Sequence, residues 1–178
     1  MGPAGGIDSA ETVTLFLHGL SYGEFFTNFE AIPGYDFSAK QARDGHVTVV
    51  IDRLGYDSSD RPPGFGICIG SQADIAHQIV EQLRSGDYDT AGTDSPSFDE
   101  VVLAGHSVGG LIAQAEAYTF GEIDGLMVLS YSDVAFSPSA RAAARQASVE
   151  CVRGSPIPPR TTSSSARRRW TSSRRTSS

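Results

Sequence analysis

The sequence predicts an α/β fold: a three-layer sandwich with a mostly parallel sheet. Three observations carry that expectation. The strand-like segments are continuous apolar runs rather than alternating ones, such as Val47-Thr48-Val49-Val50-Ile51, which suits strands covered on both faces. Helix-like segments separate them, so parallel strands joined by right-handed crossovers follow. Between one such run and the next helix stands Gly105-His106-Ser107-Val108-Gly109, a tight glycine-framed turn.

Each element has its own signal. Val13 to Leu17 is the first strand. Phe37 to Arg43 reads as a helix stopped at Asp44-Gly45, and Val47 to Ile51 is the second strand. Residues 52 to 70 form a Gly/Pro-rich loop. A helix then starts at Ser71, with Ser71 and Asp74 spaced as a capping box. Ile75, Ala76, Ile79, Val80 and Leu83 make its apolar stripe, and Gly86 ends it. After polar residues 87 to 97, Phe98 to Leu103 is the third strand. Val108 to Phe120 is a helix closed by Gly121, and Leu126 to Ser130 is the fourth strand.

The chain divides in character near residue 136. Residues 1–136 hold 5 Lys+Arg and 20 Asp+Glu, so 5 − 20 = −15; residues 137–178 hold 9 Arg and one Glu, so 9 − 1 = +8; together they give the net −7. The later segment contains Thr161-Thr162-Ser163-Ser164-Ser165-Ala166-Arg167-Arg168-Arg169. Such a run buries too little apolar surface to offset ordering entropy. Two regions are therefore expected: a folded body over 1–136 and a disordered Ser/Arg-rich tail over 137–178.

Ser107 is the candidate nucleophile. A strand, a sharp turn carrying Ser and then a helix is the context of a nucleophile elbow, whose glycines admit close backbone approach. The hydroxyl stands at a helix N-terminus, where free N–H groups and the dipole favour developing negative charge.

Two further segments extend the pattern. Thr12-Val13-Thr14-Leu15-Phe16-Leu17-His18-Gly19 ends a strand in His-Gly, and Asp52-Arg53-Leu54-Gly55-Tyr56-Asp57-Ser58-Ser59, a D-x-x-G-x-x-x-S loop, follows the next strand. In this order, with the elbow, they resemble the α/β-hydrolase superfamily of serine-hydrolase type. The resemblance covers about residues 12 to 134. It implies a partial α/β-hydrolase fold, truncated after the family's sixth strand, with strands in the spatial order second-first-third-fourth. Ligands of open α/β sheets bind where such an order reverses, at the carboxyl ends of the strands. The resemblance further implies oxyanion donors at the backbone N–H of Val108 and of Leu20, with Ser21 in reserve. Asp133 stands where some members carry the catalytic acid. The Asp52-Arg53 pair is expected to order the surrounding loops.

The base is the gap. The histidines are His18, His46, His77 and His106, and none follows Ser107, whereas the superfamily order is Ser, acid, His. His18 is expected to organise its loop, His77 to pack or face solvent, and His106 to point away from its neighbour. Three readings follow. The leading one is a hydrolase of ester, thioester or amide bonds acting through Ser107 on a small-molecule substrate. The second is an incomplete, inactive hydrolase arising as a fragment, splice or frameshift product. The third is a binding protein using its basic tail, for which nucleic acid is a poor fit.

Other chemistry finds little support. Cys68 and Cys151 give neither a disulfide framework nor a zinc site, and no metal-ligand cluster is evident. No cofactor is implied. No apolar run spans a bilayer and no signal peptide opens the chain, so no membrane partner and a cytoplasmic location are expected. Strand edges left open by a four-stranded sheet predict self-association.

Overall fold

The computed structural model describes residues 11–29, 31–90, 95–133 and 136–142. Its elements are β1 (Thr12–Leu17), α1 (Phe37–Arg43), β2 (Val47–Ile51), α2 (Ile69–Ser85), β3 (Glu100–His106), α3 (Val108–Thr119) and β4 (Gly125–Leu129). Short 3-10 turns occur at Glu24–Thr27 and Gly64–Gly66.

The sheet is fully parallel with the order β2-β1-β3-β4, as the sequence predicts. Right-handed crossovers on this order place α1 on one face and α2 with α3 on the other. The alternation along β1 fits that division. Val13, Leu15 and Leu17 are buried in the core with Ala76, Ile79, Val80 and Leu83 of α2 and Ile112 and Ala113 of α3. Phe16, on the opposite face, meets the Phe37 ring of α1 at 6.4 Å. Each fully buried aliphatic side chain of this core contributes roughly 1.5–3 kcal/mol.

Two elements, α2 and β3, depart from the sequence reading by two residues or more, and β1, α3 and β4 by one. Helix α2 is capped by Cys68, whose Sγ accepts the Ser71 N–H while Ser71 Oγ accepts the Cys68 N–H. Ser71 is thus the third helical residue rather than the cap, and Asp74 instead accepts from Gln78 Nε2 at 2.8 Å. Strand β3 begins two residues late and runs three residues further, through His106. Phe98 is buried, but its N–H bonds to the Leu83 carbonyl at the end of α2 rather than joining the ladder.

The described residues fall into two units, one reaching Tyr131 and one beginning at Ser132. In the second, Ser137 starts a helical turn: its Oγ accepts the Ala140 N–H and its carbonyl the Arg141 N–H. The rest of the expected tail, residues 143–178, lies outside the described residues. Among the described residues no helix is long and apolar enough to cross a membrane.

Candidate active site

Ser107 lies between the last residue of β3 and the first of α3, at φ 53° and ψ −117°. L-residues avoid that backbone at a cost of about 1–3 kcal/mol. All four non-glycine residues with positive φ among the described ones, Ser21, Asp57, Ser107 and Ser130, follow the C-terminal ends of β1, β2, β3 and β4. Strain therefore collects at the end of the sheet where ligands of such folds bind.

Two glycines make the turn sterically feasible. A Cβ on Gly105 would lie 2.2 Å from the Gly109 carbonyl oxygen, and one on Gly109 would lie 2.1 Å from that of Leu17. The elbow thus presses directly on the end of β1. From there Ser107 meets the His18-Gly19 loop: a methyl on Gly19 would come within 3.3 Å of Ser107 Cβ. The Ser107 N–H is held by the Leu129 carbonyl at 2.8 Å, which ties the turn to β4 as well.

The loop is shaped from below by Arg53, which is buried. Its Nε donates to the His18 carbonyl at 2.8 Å, its Nη2 to the Gly19 carbonyl at 3.0 Å and its Nη1 to Gln72 Oε1 at 2.5 Å. Burial pushes the guanidinium below its ordinary pKa. Tyr56 lies under the guanidinium, 4.8 Å from ring centroid to Cζ. Asp52 serves the neighbouring segments, accepting from the Glu24 N–H at 2.9 Å and Ser58 Oγ at 2.9 Å. The expected loop-ordering role of this pair has a concrete geometry. Gln72 and Tyr56 complete it; their only trace in the sequence is a polar residue among the apolar ones of α2 and an aromatic in a Gly-rich loop.

His18 is fully buried and both its ring nitrogens are engaged. Nε2 accepts the Arg53 backbone N–H at 3.1 Å, so Nδ1 carries the proton and donates to the Gly19 carbonyl at 2.8 Å. Desolvation lowers its pKa, keeping it neutral. It is built as a loop organiser.

The other histidines lie elsewhere. His106 stacks on Phe26, centroids 4.6 Å apart, and its Nδ1 is buried without a hydrogen-bond partner. Desolvation lowers its pKa too. His46 precedes β2, at the opposite end of the sheet. His77 sits in α2, stacked 4.0 Å from the Phe120 ring. No hydrogen bond among the described residues joins a histidine to Ser107.

Of the candidate residues, Ser107, Val108 and the His18–Leu20 loop come together in the first unit. Val108 opens α3, so its N–H has no intrahelical acceptor. The Ser21 N–H points to the Tyr56 hydroxyl at 3.4 Å. Asp133 is an exposed residue of the second unit, four residues past β4.

This geometry is that of a known family: the α/β hydrolase family model matches residues 14–177. The chain belongs to the α/β hydrolase family. The match runs past residue 134, where the motif-based resemblance stops, and takes in the Arg/Ser-rich segment; motifs mark only the residues that carry chemistry, whereas the family model aligns the whole span. No curated protein sequence matches the chain. Among solved structures, epoxide hydrolase VrEH1 from Vigna radiata is similar at 17% identity and a TM-score of 0.53, covering 84% of this chain and 40% of that one. An epoxide hydrolase from an endophytic Streptomyces is similar at 17% identity and a TM-score of 0.53, covering 76% and 36%. The chain thus spans well under half the length of these α/β hydrolases, and at that identity the likeness concerns the fold.

Proposed function

We propose that this α/β hydrolase chain carries the nucleophile and oxyanion half of a serine-hydrolase site, attacking ester, thioester or amide carbonyls through Ser107. The observation that carries the reading is the positive-φ backbone of Ser107 at the N-terminus of α3, against Gly19. Such a turn stands the hydroxyl clear of the sheet at the positive end of the helix.

Two N–H groups would receive the oxyanion. One is that of Val108. The other is that of Leu20, whose peptide unit is oriented by its own carbonyl. The Gly19 oxygen accepts from both Arg53 Nη2 and His18 Nδ1. In a trans peptide the N–H points opposite to the carbonyl, so the Leu20 N–H is turned away from Arg53. Donors of this kind are worth about 3–4 kcal/mol each in a transition state. Leu20, Tyr22 and Phe25 are exposed apolar side chains of this loop, and they favour an apolar acyl or aryl group on the substrate. The epoxide hydrolase names of the structural neighbours reach this chain no further than the fold.

The same geometry favours slow turnover. Ser attack needs a proton acceptor, His18 has both nitrogens occupied, and no histidine follows Ser107 for Asp133 to orient. An oxyanion site without a complete triad retains residual catalysis. A fluorophosphonate probe should therefore label the chain slowly, to one equivalent, and the labelling should vanish in Ser107→Ala. With p-nitrophenyl acetate, turnover should be weak. Labelling that persists in Ser107→Ala would overturn the assignment, and vigorous turnover with a histidine-like pH inflection would overturn the incomplete-site reading.

A further inference from the structure

A second cluster of polar side chains, which the hydrolase reading leaves unused, sits where α2 packs against the end of α3. His77 and Glu81 stand one turn apart on α2, and Glu122 lies in the link from α3 to β4. His77 Nε2 is 3.9 Å from Glu81 Oε1 and 3.9 Å from Glu122 Oε2. One ligand-type atom from each of the three residues lies within 4.8 Å of the others. These separations are too long for hydrogen bonds. They approach the spacing of ligands around one cation: bonds of about 2.0–2.2 Å at tetrahedral angles set ligand atoms roughly 3.4 Å apart. Both glutamate side chains are more than half exposed, so either can close the difference by a small rotation.

An independent observation lies behind the ring. His77 Nδ1 is 3.3 Å from Oε1 of Glu116, whose side chain is fully buried. Glu116 Oε2 has no hydrogen-bond partner. A carboxylate buried this deeply is costly unless positive charge or strong donors answer it. On Nδ1 it orients the imidazole: in the tautomer with the proton on Nδ1, that nitrogen donates inward and a bare Nε2 lies on the side of Glu81 and Glu122. The Phe120 ring, stacked at an interplanar angle of 6°, holds the ring in that plane. A buried carboxylate behind a histidine whose other nitrogen faces two carboxylates is the arrangement that orients metal-bound imidazole and raises its basicity.

We propose that His77, Glu81 and Glu122 bind a divalent transition-metal cation of the zinc class, with Glu116 as a positioning residue behind His77. The imidazole disfavours magnesium and calcium, which take all-oxygen shells. Water completes the coordination. The cation clasps α2 to the α3–β4 link, and so stabilises the folded chain by an amount that grows with the logarithm of free cation above its Kd.

The test uses the full chain after chelator treatment. Titration with Co²⁺, followed by visible absorption, should show one saturable equivalent with ligand-field bands, displaced by Zn²⁺; Mg²⁺ should leave the spectrum unchanged. Glu81→Gln and Glu122→Gln, both at exposed positions that leave the fold intact, should each weaken binding about tenfold or more. Glu116→Gln keeps the shape of the buried side chain, so it should change the melting temperature little while weakening Co²⁺ binding about 10–100-fold and shifting its bands. A purely structural Glu116 would move stability without moving the spectrum. The absence of saturable binding would overturn the site. So would affinity that survives the Glu81→Gln/Glu122→Gln double variant, since the metal would then sit elsewhere, as on the Cys68 or Cys151 thiol.

Discussion

His18 and Arg53 hold each other reciprocally: His18 Nε2 accepts the Arg53 backbone N–H at 3.1 Å, and Arg53 Nε donates back to the His18 carbonyl at 2.8 Å. The exchange joins the end of β1 to the end of β2 beneath the loop that faces Ser107. Removing the guanidinium leaves three oxygens, on His18, Gly19 and Gln72, without those donors. Arg53→Met should therefore cost about 2–4 kcal/mol of unfolding free energy. Arg53→Lys should recover only part of that, because an ammonium cannot span the three acceptors as the planar fork does. Urea unfolding of the three proteins checks this; equal stability of the Lys variant and the parent would refute it.

The same pair predicts a pH dependence. Burial lowers the pKa of His18 in the folded state below its ordinary value of 6.5. The unfolded chain therefore takes up a proton on this group at a higher pH than the folded chain does. Its contribution to stability is present above about 6.5 and declines as pH falls towards the folded pKa. His18→Asn should flatten the stability profile between about pH 7 and 5 while lowering stability at neutral pH. An unchanged slope in that variant would show that other groups carry it.

Ser107 sets strain against chemistry. Ser107→Gly relieves the positive φ and should raise stability by about 1–3 kcal/mol, whereas Ser107→Ala keeps a Cβ in the same backbone and should change stability little. Both variants should lose probe labelling. Calorimetric melting of the two side by side separates the effects; a Gly variant no more stable than the Ala variant would mean the turn relaxes without cost.

Gly109 admits no side chain. A Cβ there would lie 2.1 Å from the Leu17 carbonyl oxygen and 2.7 Å from that of His18. Both obstacles are backbone of a central strand and its exit loop. Gly109→Ala should cost about 3 kcal/mol or more, or prevent folding. Gly64→Ala, with nothing within 4 Å of the added carbon, serves as the control. Circular dichroism and thermal melting of the pair decide it.

The body of the fold is legible in the sequence because period and punctuation agree there. Phe37–Arg43 and Val47–Ile51 form the elements expected of them. The start of α2 and the end of β3 are misplaced for one physical cause, a residue in a role its type rarely fills. Cys68 caps α2 through sulfur where Ser71 looks the better cap, and Gly105 reads as turn although β3 runs through it to make room for Gly109. The elbow is legible because tight backbone geometry demands glycine at fixed spacing. The His77–Glu122 cluster is not, because residues 45 positions apart (122 − 77 = 45) meet only when α2 packs on α3. Nor does local sequence disclose that Gln72 serves Arg53.

The sheet edges carry the last prediction. In the order β2-β1-β3-β4, the described sheet ends on β2 and β4. Leu126, Met127 and Leu129 of β4 are exposed, and neither strand holds a Pro or a Lys that would blunt an open ladder. The net charge of −7 opposes association, but salt screens such repulsion beyond roughly 8–10 Å. The isolated chain should therefore form oligomers or aggregates, and more so as salt rises from low to physiological strength. Met127→Lys, which places a charge on the open strand, should shift the population towards monomer. Light scattering on both proteins across that salt range reads the effect directly. A parent chain that stays monomeric at high concentration and physiological salt would mean that these edges are covered by other residues of the same chain.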